Sequence, residues 1–172
     1  MTSVVLIAIA VGAGAINALQ ISLLGGIKME RGSFEATWIS MLASLAGMAL
    51  LLGMRSLWGP PANLPVPFDS WWPYLLLALV MTTSLLVAGR GLPFYLLATG
   101  LTSIPYLLAA AYAGPRIGLA VYFAAVVTGQ LTMSVVLDHV GAFGAEPRPI
   151  TSFRVLGIVL LLAGVIMIRG RR

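Results

Sequence analysis

Six mostly apolar runs, most of them close to the length of a bilayer crossing, leave this chain few folds to choose from. They cover Ser3 to Leu24, Ala36 to Met54, Trp71 to Ala88, Leu92 to Ala113, Ile117 to Leu137 and Phe153 to Ile168. A helix of roughly 17 to 25 predominantly apolar residues spans a hydrocarbon core about 30 Å thick. In lipid the backbone must satisfy its own hydrogen bonds, so each run is expected to be a helix. The pattern predicts an all-α integral membrane protein, a polytopic bundle of six spans forming one transmembrane domain over residues 1–172. The count drops to five if 71–88 is re-entrant, because Arg90 follows closely and the Gly-Arg-Gly-Leu-Pro turn after it is tight. The last run reaches only about 24 Å at 1.5 Å per residue, with Arg154 and Arg169 placed to snorkel at its ends.

Composition supports the same solvent. Of 172 residues, 60% are hydrophobic and 9% charged, and the mean hydropathy is +1.03. A soluble domain carries about 25% charge. Cysteine is absent and His139 is the one histidine, so neither a disulfide framework nor a histidine or thiolate metal site is expected within one chain, and no cofactor is implied. The net charge of +5 is spread over short loops and does not form the basic face that nucleic acid requires. The basic residues read as topology and headgroup anchors, with membrane lipids as the surrounding partner.

The breaks between runs make chemical sense. Gly25, Gly26, Lys28 and Arg31 close the first, and Pro60, Pro61, Pro65 and Pro67 mark a loop after the second. Trp58, Trp71, Trp72 and Tyr74 stand where an aromatic belt is expected. The first run is too long for a signal-peptide core and reads as a retained span. With six spans and an inside carboxyl terminus, Arg55, Arg116, Arg169, Arg171 and Arg172 face Lys28, Arg31, Arg90, Arg148 and Arg154. This balance gives little orientational preference, and the Arg169 to Arg172 tail tips it mildly inward.

Polar residues inside the runs are the functional candidates, since they are costly in hydrocarbon. Asn17 and Gln20 share a side of the first helix, and Gln130, Ser134 and Asp138 form a polar line from midspan to the edge of the fifth. Ser40 and Ser44 repeat at helical spacing in the second. Each fits either a substrate path or bonding between neighbouring helices. Asp138 is the candidate for ion or proton coupling; the alternative is a surface charge paired with Arg148 or Arg154, or a cap on the next turn. Glu35 reads as an anion at a helix amino terminus. Pro105, after Thr102 and Ser103, is expected to kink the fourth helix. Ala10, Gly14, Ala18 and Ser22 make a small-residue stripe, echoed by Ala120, Ala124 and Thr128, suited to close packing within a subunit or against another. No nucleophile and base pair or phosphate loop is visible, so an enzyme is not expected.

The run GAGAINALQ from Gly12 to Gln20, the second span around Ser40, Ser44 and Gly47, and the motifs GPRIG, GQLTMSVVLDHVGAFG, PRPIT and RVLGIVLLLAGVIMIR resemble the YdcZ-type branch of the drug/metabolite transporter superfamily. The likeness runs from Gly12 to Arg169 and is most specific from Gly114 onward. It implies a small helical protein of the bacterial inner membrane that acts as a transporter. It also implies five spans in single-length members, with Leu92 to Ala113 as the third, so that Trp71 to Ala88 stands as an insertion. Small multidrug relatives use a glutamate in the first helix; here Asn17 and Gln20 occur and no acid. Two functions follow as expectations. One is a subunit of a small-solute secondary transporter acting as a homodimer, its path lined by Asn17, Gln20, Ser40, Ser44, Gln130, Ser134 and Asp138. The other is a non-transporting accessory subunit whose stripe binds another membrane protein.

Overall fold

The computed structural model describes residues 2–60 and 62–170; Pro61 of the proline-rich loop and Arg171 and Arg172 of the basic tail lie outside them. The described residues form α1 (Ser3–Arg31), α2 (Ser33–Trp58), α3 (Trp72–Ala88), a 3-10 segment (Phe94–Thr102), α4 (Ser103–Ile117), α5 (Leu119–Val140), a 3-10 turn (Ala142–Gly144) and α6 (Ser152–Arg169). By length and composition four stretches are able to cross a membrane: α1, α2, the 3-10 segment continued by α4, and α5. Two shorter apolar helices, Trp72–Ala88 and Ser152–Ile168, occupy the third and sixth runs. The protein is thus an all-helical membrane protein.

Single glycines separate two pairs of consecutive helices. Gly32 has φ +97° between α1 and α2, and Gly118 has φ +86° between α4 and α5. Only a residue without Cβ takes these values cheaply, so one helix follows the other there without a longer loop. The fourth run departs from a continuous α-helix bent at Pro105. Phe94–Thr102 are 3-10, and α-helical geometry begins at Ser103, which puts Pro105 in the first turn of α4. Near that end a missing N–H is well tolerated. The neighbouring carbonyls are met by hydroxyls: Thr102 donates to Thr99 O at 2.5 Å and Ser103 to Gly100 O at 2.6 Å.

The chain divides into two compact units, Met1–Gly26 with Pro105–Arg172, and Ile27–Ile104. In the first, Leu6 and Ala10 of α1 bury against Ala113 of α4, Tyr122, Ala125 and Val126 of α5, and Val165 of α6. Ser3 and Ile7 share a cavity with Gly118 and Val121 and with Ile166 and Ile168. The starts of α1 and α5 and the ends of α4 and α6 therefore lie at one end of this unit. α1 and α5 run in the same direction. In the second unit, α2 lies between α3 and the 3-10 segment. Tyr74 is buried beside Gly53 and donates from its hydroxyl to Phe68 O at 2.6 Å, holding the loop before α3.

Large apolar side chains cover the outside of both units. Phe34, Trp58, Phe153 and Ile166 are 90%, 83%, 86% and 72% exposed, an arrangement that water would penalise and lipid does not.

Candidate polar path in the helical units

The small-residue stripe places the polar residues of the first unit. Ala10 and Ala18 are 0% and 3% exposed, Gly14 is buried and Ser22 half-buried. A Cβ on Gly14 would collide with the Val126 carbonyl and lie 2.9 Å from the Gln130 nitrogen, and a Cβ on Gly129 would collide with the Val11 carbonyl. Each helix thus presents a glycine to the other's backbone, and α1 and α5 touch main chain to main chain. Gly129 lies outside the four-residue repeat of the stripe; its signal in the sequence is a glycine set among polar residues in TGQ.

Just beyond this crossing stand Asn17, one turn after Gly14, and Gln130, which follows Gly129. Because the two helices run the same way, both residues lie on the same side of the contact. Both are half-buried, and their carboxamides make no hydrogen bond within the described residues. Gln20 is half-buried and partnered, and Ser134 is half-buried one turn beyond Gln130. Thr128 and Thr132 turn inward on their own helix, donating to Ala124 O at 2.8 Å and Thr128 O at 2.7 Å.

Asp138 has partners. Its carboxylate meets Arg154 at 3.4 Å, and its carbonyl accepts from the Arg148 amide at 2.7 Å. The loop between α5 and α6 is folded back on the end of α5, which closes in a left-handed cap at Gly141. His139 beside it is exposed.

Ser40 and Ser44 belong to the second unit. A Cβ on Gly100 would collide with the Ser40 carbonyl and with Ala43 and the Ser44 nitrogen, so α2 and the 3-10 segment touch as closely as α1 and α5 do. Around this contact the Ser44 hydroxyl lies 2.9 Å from each of Ser40 O, Gly100 O and the Ser103 hydroxyl. Ser103 joins this cluster without having been singled out in the sequence, although its place just before Pro105 in a hydroxyl-rich segment is a readable cue. Glu35 is exposed in the first turn of α2 and lines an open cleft of about 280 Å³ together with Arg31 and Trp38.

Two features have no counterpart in the sequence reading. The Arg116 guanidinium lies over the Tyr112 ring at 3.9 Å from its centre and donates to the Tyr112 carbonyl; the i, i+4 spacing of the two was the available signal. The Tyr122 hydroxyl is buried and has no hydrogen-bond partner among the described residues. Among the described residues no three histidine, cysteine, aspartate or glutamate side chains gather as a metal site.

Comparison with curated proteins and with solved structures returned no match. Comparison with protein families matches residues 5–167 to the family described as "Putative inner membrane exporter, YdcZ". That match takes in every helix described above, from the buried stripe of α1 to the apolar length of α6, and it places this chain in the YdcZ family of inner-membrane transporters.

Proposed function

We propose that this protein is a subunit of a secondary transporter exporting a small solute, and that it works as a dimer in which both units of each copy serve one transmembrane domain. The observation that carries the reading is the pair of half-buried carboxamides, Asn17 and Gln130, which make no hydrogen bond among the described residues beside the α1–α5 crossing. In hydrocarbon a polar side chain normally bonds a neighbouring helix. An amide that does not is available to a solute or to the water that accompanies one. In this reading Asn17, Gln20, Gln130 and Ser134 line the path in the first unit. Ser40 and Ser44 hold the 3-10 segment whose rearrangement accompanies transport, since 3-10 geometry in a long helix often marks a hinge. Asp138 sits at the edge of the path as the candidate coupling residue. The burial of Ala10, Gly14 and Ala18 within the chain's own first unit favours a transporter over an accessory subunit that reserves this stripe for another protein.

The test is solute efflux from vesicles reconstituted with the purified protein, after a screen for a transported compound. Gln130→Leu is expected to abolish efflux while the melting temperature holds, and Asp138→Asn to remove its dependence on pH or on a coupling ion. Unchanged efflux in both variants removes these residues from the mechanism. The dimer is read separately from the mass of the protein with its bound detergent, a monomer at all concentrations contradicting it.

A further inference from the structure

A cavity of about 800 Å³ opens at the end of the first unit where α1 and α5 begin and α4 and α6 finish. Its walls include Ile7, Ile117, Val121 and Ile166, and among the described residues the one charged side chain lining it is Arg116. That guanidinium is held in place, stacked on the Tyr112 ring and bonded to the Tyr112 carbonyl, yet it is exposed and most of its five N–H donors remain for a ligand. An aromatic face and a helix carboxyl terminus both favour a cation in that position. Among the described residues no carboxylate lines the cavity, and the acid at the edge of α5, Asp138, is engaged with Arg154. A cationic solute entering here would meet one like charge and no counter-charge. A solute with an apolar body and an anionic head would bury the body against isoleucine and valine and present the head to Arg116.

Resting on the exporter reading above, we infer that the transported solutes are amphipathic organic anions, bearing a carboxylate, sulfonate or phosphate, and that Arg116 is their binding residue at this mouth. The cavity is large enough for a drug-sized body.

Tetraphenylborate and tetraphenylphosphonium make a direct probe, being nearly the same size and shape with opposite charge. In phosphatidylcholine nanodiscs, tetraphenylborate is expected to bind at least tenfold more tightly than tetraphenylphosphonium. Arg116→Gln should erase that preference and Arg116→Lys keep most of it. Should R116Q not fold, the unmodified protein answers by chemistry: tetraphenylborate, and not tetraphenylphosphonium, should protect Arg116 from phenylglyoxal, read by mass spectrometry of its peptide. Equal binding of the two ions, a preference untouched by R116Q, or equal protection would overturn the assignment. Loss of the protection when phosphatidylglycerol is added would make the occupant a lipid headgroup and overturn it as a statement about solute. If the preference and protection stand while no organic anion is exported from vesicles, the binding site holds and the exporter reading falls.

Discussion

Two helix crossings in this molecule achieve equally close backbone contact by different means. In the first unit, α1 and α5 meet through glycines on both sides, Gly14 and Gly129, each lying against the other helix's carbonyl groups. The hydroxyls nearby, Thr128 and Thr132, bond within α5 and do nothing across the contact. In the second unit the glycine pressed against backbone is Gly100 of the 3-10 segment, Gly47 of α2 meets only the side chains of Leu101 and Ile104, and a serine on α2 bonds across: Ser44 reaches both Gly100 O and Ser103. Lipid supplies no hydrophobic drive between helices, so either dispersion between close backbones or interhelical hydrogen bonds must hold them. The two-glycine contact tolerates no added atom but leaves the Asn17 and Gln130 carboxamides beside it without a hydrogen bond among the described residues. The serine contact uses its polar groups up. The candidate path residues Asn17 and Gln130 accordingly lie beside the first crossing.

The comparison breaks first on bulk. Gly14→Leu drives a branched side chain into the Val126 carbonyl, and the helices must separate; the loss should reach or exceed the roughly 1–3 kcal/mol typical of overpacking. Thermal unfolding in detergent measures it, and an unchanged melting temperature would mean that α1 and α5 do not touch. Gly100→Ala adds a single methyl where Ser40 O and Ser44 N already press, and should fall within that same range of about 1–3 kcal/mol, below Gly14→Leu.

Hydroxyl deletion sharpens the contrast. Ser44→Ala removes the bond across the second crossing, and interhelical bonds in membranes average about 0.6 kcal/mol with a maximum near 1.7. Thr128→Val removes a bond that stays within α5, so its effect should be smaller than that of Ser44→Ala. Equal losses in the two variants would erase the distinction between the crossings.

The ion pair comes next. Asp138 and Arg154 are 42% and 31% exposed in their side chains, so Asp138→Asn should cost below about 1 kcal/mol, with the Arg148 amide bond to the Asp138 carbonyl retained. A loss of several kcal/mol would assign Asp138 to the core of the unit. Smallest of all is Gly157→Ala. A Cβ on Gly157 of α6 meets nothing within 4 Å, so the substitution should be neutral or stabilise by up to about 1 kcal/mol through helix propensity. A large destabilisation there would reveal a partner packed on α6, such as the second copy in the proposed dimer.

How much of this was legible before the structure varies residue by residue. The six runs correspond to six helical stretches because burial in lipid is read from composition and length, which are local properties. The stripe of Ala10, Gly14 and Ala18 was also visible, being periodic within one helix. Ser103 and Gly129 were not, since each matters through what it opposes, and a helix's own periodicity says nothing of its neighbour. The 3-10 form of residues 94–102 was missed for a related reason. Pro105 announces a disturbance, but its effect appears upstream, where Thr102 and Ser103 take the carbonyls and Gly100 presses on α2.

The sequence by itself determined that this chain is helical and belongs in a bilayer, because long apolar runs have no other way to satisfy their backbones there. It also carried the family, through motifs spread over its length. The tertiary structure alone decided which polar groups are spent and which remain. Asp138 could have stood alone or met either Arg148 or Arg154 by its side chain, and the fold set the Arg154 guanidinium beside its carboxylate. Ser44 could have lined a pore, and the fold laid Gly100 and Ser103 against it. The difference lies in distance: a hydrogen bond or an ion pair is made or lost over about 1 Å, a scale at which only the packing of one helix on another decides.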